Sequence, residues 1–127
     1  MAPSRLLLDT HILLWSLDGT NLADSTRHTM GIADELICSA ASIWEISIKA
    51  KKGKITLPTT WLGMIISSGI SLMNITPEHA FTTAAIDLPH SDPFDRLLVA
   101  QAMSEQLRLL TADQTLLNSA YPFIVQA

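Results

Sequence analysis

Four acidic residues stand where a chain of alternating strands and helices could bring them together. Asp9 closes the run "SRLLLD", Glu45 sits inside "ASIWEISIKAKKG", Asp95 lies in "DPFDRLLVAQA", and Asp113 ends "LLTAD". Each has an ordinary structural role open to it. Asp9 and Asp113 can cap the helices after them, and Glu45 can close a capping box with Ser42 or pair with Lys49 four residues on. Asp92 can cap a helix that has Pro93 at its first position, with Asp95 at the third, where a carboxylate favours the helix dipole. Together they pose an electrostatic problem. Two unit charges about 4 Å apart repel by roughly 4 kcal/mol at an effective dielectric near 20. Helix N-termini each return only about 0.3–1 kcal/mol. Converging carboxylates therefore require raised pKa values or a bound cation. An oxygen-only donor set suits hard Mg²⁺ or Mn²⁺; a single cysteine and four dispersed histidines (His11, His28, His79 and His90) do not suit zinc. His11 and His90 fall near Asp9 and Asp92, so either could line such a site. Carboxylates without a Ser, Cys or His nucleophile point to hydrolysis by metal-activated water on an anionic substrate, with a phosphodiester the leading case.

The elements that must position these acids alternate along the chain. Strands are expected over 4–9, 35–40, 70–75, 107–112 and 121–127, the last at an edge. Helices are expected over 10–17, stopped by Asp18-Gly19, and over 22–34, 41–53, 59–69, 76–86 (Thr76 as cap, Pro77 first) and 93–106. This order implies an α/β fold, a mostly parallel sheet between two helical layers. In such sheets ligands bind beyond the carboxyl ends of the strands, where these acids fall.

Composition agrees with one compact domain over 1–127: 127 residues, 48% hydrophobic. The formal net charge of −4 gives no global basic field, yet four of the eight basic residues fall in "KAKKGK". A cluster this short is either a solvated helix end or a phosphate-contacting patch made by Lys49, Lys51, Lys52 and Lys54. Cys38, the one cysteine, lies in apolar sequence and reads as a buried reduced thiol. "MAPSRLLLDTH" does not resemble a signal peptide. Residues 55–77 carry no charge, but two prolines and two glycines interrupt them before any spanning length. A soluble cytoplasmic protein, with no membrane partner, is expected.

"LLLDTHILLWSL", "SAASIWEISIKAKKGKI", "LPHSDPFDRLLVAQA" and "LLTAD" follow one another in the order and at about the spacing of the PIN-domain ribonucleases. Over nearly the whole chain the sequence resembles the VapC-like toxins of bacterial toxin–antitoxin pairs. The resemblance implies a small parallel α/β/α sandwich that binds Mg²⁺ or Mn²⁺ through acidic residues and cuts RNA. On these motifs Asp9, Asp95 and Asp113 would hold the cation, directly or through water, and Glu45 would ligate it or orient the attacking water. The metal would acidify that water and neutralise the transition state. Thr10 would support the site through its hydroxyl, Asp92 stays a cap, and the four lysines would grip flanking phosphates. The resemblance also implies a homodimer and a small antitoxin as partners. Trp15 and Trp61 are the aromatic anchors expected for the antitoxin, unless they are core. One departure is "DQTLLNSA" after Asp113, where many relatives place a further aspartate and an aromatic; one metal is expected and a second left open.

Rival functions fit less well. A phosphoacceptor signalling module would show an acidic pair after the first strand and a late lysine, whereas Asp9 precedes Thr10 and His11 and no lysine follows Lys54. A dehalogenase-like phosphatase would need a second acid two residues after Asp9. A nuclease-inactive binding protein on the same scaffold would not need all four acids.

Overall fold

The chain builds a five-stranded, all-parallel sheet in the order β3-β2-β1-β4-β5. The computed structural model describes residues 4–19, 21–89 and 91–127. Strands β1 (Arg5–Leu8), β2 (Glu35–Ser39), β3 (Ser71–Met73), β4 (Arg108–Thr111) and β5 (Ile124–Gln126) are short, and all five expected strands are present. The helices among the described residues are α1 (Thr10–Asp18), α2 (Asp24–Ile32), α3 (Ala40–Lys51), α4 (Trp61–Ser67), α5 (Pro77–Thr82), α6 (Pro93–Glu105) and α7 (Gln114–Leu117). A turn of 3-10 helix, Thr83–Ala85, continues α5. The expectation of a mostly parallel sheet is thus met in full, and α7 is the helix that the capping role of Asp113 allowed for but to which no span was assigned.

Alternating side chains on each strand feed two separate cores, as a period of two requires. Leu7, Ile37 and Leu109 point into one with Leu98, Val99 and Leu116. Leu6, Leu8, Cys38 and Leu110 point into the other with Ile12, Leu13, Ile46 and Ile65. Each such side chain contributes about 1.5–3 kcal/mol on burial, which is why the strands are near-continuous leucine runs. The Cys38 thiol is buried, and burial pushes its pKa up to about 12. It is an inert packing group. No helix of the described residues is long and apolar enough to cross a membrane.

Two details place the end of α1 and the start of α6. Gly19, at φ 73°, turns the chain out of α1 while its N–H bonds the Trp15 carbonyl at 2.9 Å, a conformation that suits glycine. Asp92 caps α6, accepting from the N–H groups of Phe94 (2.9 Å) and Asp95 (3.2 Å), with Pro93 first in the helix. The Asp92 cap and the Thr76 cap of α5 are therefore as the sequence predicts.

Candidate active site

The chain moves outward from β1 through β2 to β3, then returns across the sheet to β4 on the other flank of β1. The sheet's switch point lies between β1 and β4, and the carboxyl ends of these two strands release Asp9 and Asp113. Asp9 N–H bonds the Leu110 carbonyl at 3.0 Å, tying the two strand ends together. A cavity of about 260 Å³ opens here, lined by Asp9, His11, Trp15, Ala112 and Asp113. His11 thus lines the site; His90, the other histidine considered, lies outside the described residues.

Asp9 occupies the N-cap position of α1, but its side chain makes no capping bond. It is only 4% exposed, and its Oδ2 accepts the Thr111 hydroxyl at 2.7 Å. The Asp113 N–H in turn donates to Thr111 Oγ1 at 3.0 Å. Thr111 therefore locks one acid to the backbone of another, a role the sequence reading missed. Burial raises the Asp9 pKa, opposed by the Thr111 bond, the nearby His11 and the Thr10 backbone, with Glu45 adding to the rise. Thr10 is buried, and its hydroxyl bonds the Ser42 hydroxyl at 2.9 Å, tying α1 to α3.

Asp95, in the first turn of α6, is where the charges meet. Its pKa is pushed up to about 7, first by burial and then by the negative charges of Asp92, Asp9, Asp113 and Glu45. The other three expected acids therefore lie within electrostatic reach of Asp95. Among the described residues, however, no group of three or more His, Cys, Asp or Glu side chains is set to hold a metal ion. Existing bonds explain part of this. Asp113 Oδ1 accepts the Thr115 N–H at 2.8 Å and caps α7. Glu45 Oε2 pairs with Lys49 Nζ at 3.2 Å. The Asp113 cap and the Glu45–Lys49 pair are the plain structural roles the sequence allowed, while the Ser42 capping box does not form. In chemistry the donor set fits a hard divalent cation, since it is all oxygen and its central carboxyl is raised by crowding that a cation would relieve.

The lysines separate into two kinds. Lys49 is half-buried against Glu45, whereas Lys51, Lys52 and Lys54 are exposed at the end of α3. For the tryptophans the core alternative is the one that the structure favours. Trp15 and Trp61 pack partly buried on the second core, and Trp44 is the one that is 60% exposed. Exposed apolar side chains do mark the charge-free segment, at Leu62, Met64, Ile66, Leu72 and Ile75.

Behind the acids, α3 and α6 run against each other and are joined twice. Near the site, the Trp44 and Phe94 rings meet edge-on at 5.3 Å. Deeper, Ser39 Oγ accepts the Ala41 N–H at 3.0 Å and donates to Gln101 Oε1 at 2.5 Å. Gln101 Nε2 donates to the Asn74 carbonyl (3.4 Å) and to His79 Nδ1 (3.2 Å). His79 Nδ1 also accepts the Thr76 N–H at 3.1 Å. The proton therefore sits on Nε2, which donates to Glu105 at 2.9 Å.

A parallel α/β/α sandwich with acids gathered at its switch point has the frame of a hydrolase for anionic substrates. Residues 6–120 match the PIN domain family, and the chain belongs to it. It is 33% identical over 126 residues to Ribonuclease VapC22 of Mycobacterium tuberculosis, covering 94% of this chain and 95% of that protein. The fold is shared with the DNA-bound VapBC of Salmonella typhimurium, at a TM-score of 0.71, 17% identity, and 98% and 97% coverage of the two chains. A toxin–antitoxin complex from Klebsiella pneumoniae is also similar, at a TM-score of 0.68 and 19% identity, covering 94% and 95%.

Proposed function

We propose that this chain is a metal-dependent endoribonuclease, the toxin of a toxin–antitoxin pair, working as one domain in the cytoplasm. The observation that carries the reading is the convergence of Asp9, Glu45 and Asp113 on the raised Asp95 carboxyl, in a PIN fold akin to a VapC ribonuclease. Asp9, Asp95 and Asp113 would hold Mg²⁺ or Mn²⁺, with Glu45 at its margin. When bound, such an ion neutralises phosphate charge and makes an adjacent water more acidic.

The chain's own groups supply the rest. Thr111 holds Asp9 from behind, and Thr10 fixes the start of α1 to α3 through Ser42. Glu45 orients the attacking water and accepts its proton as the oxygen adds to phosphorus, while the bridging P–O bond breaks and the departing ribose oxygen takes a proton from solvent. Lys49, already beside Glu45, and the exposed Lys51, Lys52 and Lys54 attract the RNA backbone despite the acidic total. A small antitoxin and a second copy of the chain are the proposed protein partners, for which the exposed apolar side chains of 55–77 offer surface.

The test is cleavage of a random-sequence RNA pool with Mg²⁺, with Mn²⁺ and with EDTA. Cleavage is expected with either ion and none with EDTA. Full activity in EDTA would remove the metal from the reading. In cells, expression alone should stop growth, and co-expression of the antitoxin encoded alongside should restore it. Unimpaired growth with active protein leaves a nuclease that is no toxin.

A further inference from the structure

An exposed tryptophan beside a cluster of carboxylates is unusual, because a large apolar ring open to water gains nothing from its place. Trp44 immediately precedes Glu45, and Phe94, which packs its edge against Trp44 at 5.3 Å and 76°, immediately precedes Asp95. Phe94 is itself seated on the first core. The Trp44 ring is thus braced from below yet 60% exposed. Along the same face of α3, Ser47 and Lys51 are also exposed, three and seven residues on. Two helical turns, about 10.5 Å along the axis, separate the backbone positions of Trp44 and Lys51. Acids crowd the Trp44 end of this stripe and lysines the other, so a polyanion is drawn toward the lysines while its uncharged bases can approach the acids.

We propose that Trp44 is a stacking platform for a nucleobase of single-stranded RNA and that Lys51 contacts a phosphate of the same strand. This rests on the ribonuclease reading and adds to it the path of the substrate along α3. Bases of any type have a π face, so the platform holds the strand beside the acids without dictating sequence. A protein segment is the competing occupant of the ring, and it would not respond to removal of bases.

Binding of a mixed-sequence single-stranded RNA oligonucleotide and of an abasic strand of the same length is measured in EDTA over a range of salt. Trp44→Ala should weaken binding of the base-bearing strand about 5- to 100-fold, leave the abasic strand bound as by wild type, and keep the salt slope. Trp44→Phe should recover most of the loss. Lys51→Ala should weaken both strands and lower the salt slope by about 0.7. Should Trp44→Ala fail to fold, Trp44→Leu, apolar but without a π face, makes the same comparison. Equal losses on both strands, or no loss, overturn the platform. Cleavage of the random pool by wild type with Mg²⁺ is run alongside. A pool that is cut while Trp44→Ala binds as wild type overturns the platform alone. An intact pool with no RNA bound overturns the ribonuclease reading with it.

Discussion

Two regions of this molecule bury polar side chains, and they do so in opposite ways. Between α3, α5 and α6, the groups of Ser39, Gln101 and His79 form a chain in which donors meet acceptors, ending on Glu105 at the surface. At the carboxyl end of the sheet, Asp9 and Asp95 are desolvated, and Asp95 stands among the charges of Asp92, Asp9, Asp113 and Glu45. A satisfied network holds helices in place. A crowded one is held in place by them, and stores repulsion that a cation can release. The difference separates what stabilises the fold from what the fold stabilises.

The largest expected effect comes from the crowded region. Asp95→Asn should lower RNA cleavage by at least about 10²–10³-fold, the scale of losing one charged group at a transition state. Its melting temperature without metal should equal or exceed wild type, because a repelling charge is gone. Should the variant melt well below wild type, with residual activity following the folded fraction, the two regions are alike and the acids are structural.

Next is the satisfied network. Gln101→Leu removes the acceptor of the Ser39 hydroxyl and one of the two donors to His79 Nδ1, and should destabilise by about 1–3 kcal/mol in urea unfolding. Ser39→Ala combined with Gln101→Leu should lose less than the sum of the two, since they share one bond. Cleavage per folded molecule should stay far closer to wild type than in Asp95→Asn. A stable Gln101→Leu protein with no activity would reverse the comparison.

The last comparison is of pH dependence. Asp95 has a folded pKa of about 7 against an ordinary carboxylate value of 3.8. Between these values the folded state keeps a proton that the unfolded state has released. Stability of the metal-free protein should therefore fall as pH rises from about 4 to about 7, with Asp9 acting in the same direction. Asp95→Asn should flatten most of that slope, as should saturating Mg²⁺. A slope unchanged by the variant would place the crowding elsewhere.

Much of this was legible in the sequence because it is local. Leucine runs ending in an acid announced β1 and β4, and the Asp92-Pro93 pair announced the start of α6. The acids could be placed because strand ends in a parallel sheet share one edge. Contacts distant in sequence were not legible. Ser39 and Gln101 are 62 residues apart, and Thr111 and Asp9 are 102 apart, so neither link leaves a periodic signal. Helix α7 spans four residues, too few for one. Trp44 was absorbed into the apolar rhythm of "IWEIS", and only burial separates it from Trp15 and Trp61. The lysine cluster read as one patch, while Glu45 claims Lys49.

The pairing of β1 with β4 has a consequence for biosynthesis. Leu7 lies beside Leu109 in the sheet, and the central strand is made well before its partner. At translation rates of about 5–20 residues per second, the stretch from Asp9 to Asp113 takes roughly 5–20 s to make. During that interval β1 lacks one neighbour, and Asp9 lacks both Thr111 and Asp113. Until β4 is made, Asp9 therefore lacks the hydroxyl that holds it, and the group of acids proposed as the site is complete only when the late strand docks. Pairing across so long a stretch of chain is slow on the folding timescale, so the fold itself separates in time the making of Asp9 from the moment its neighbours reach it.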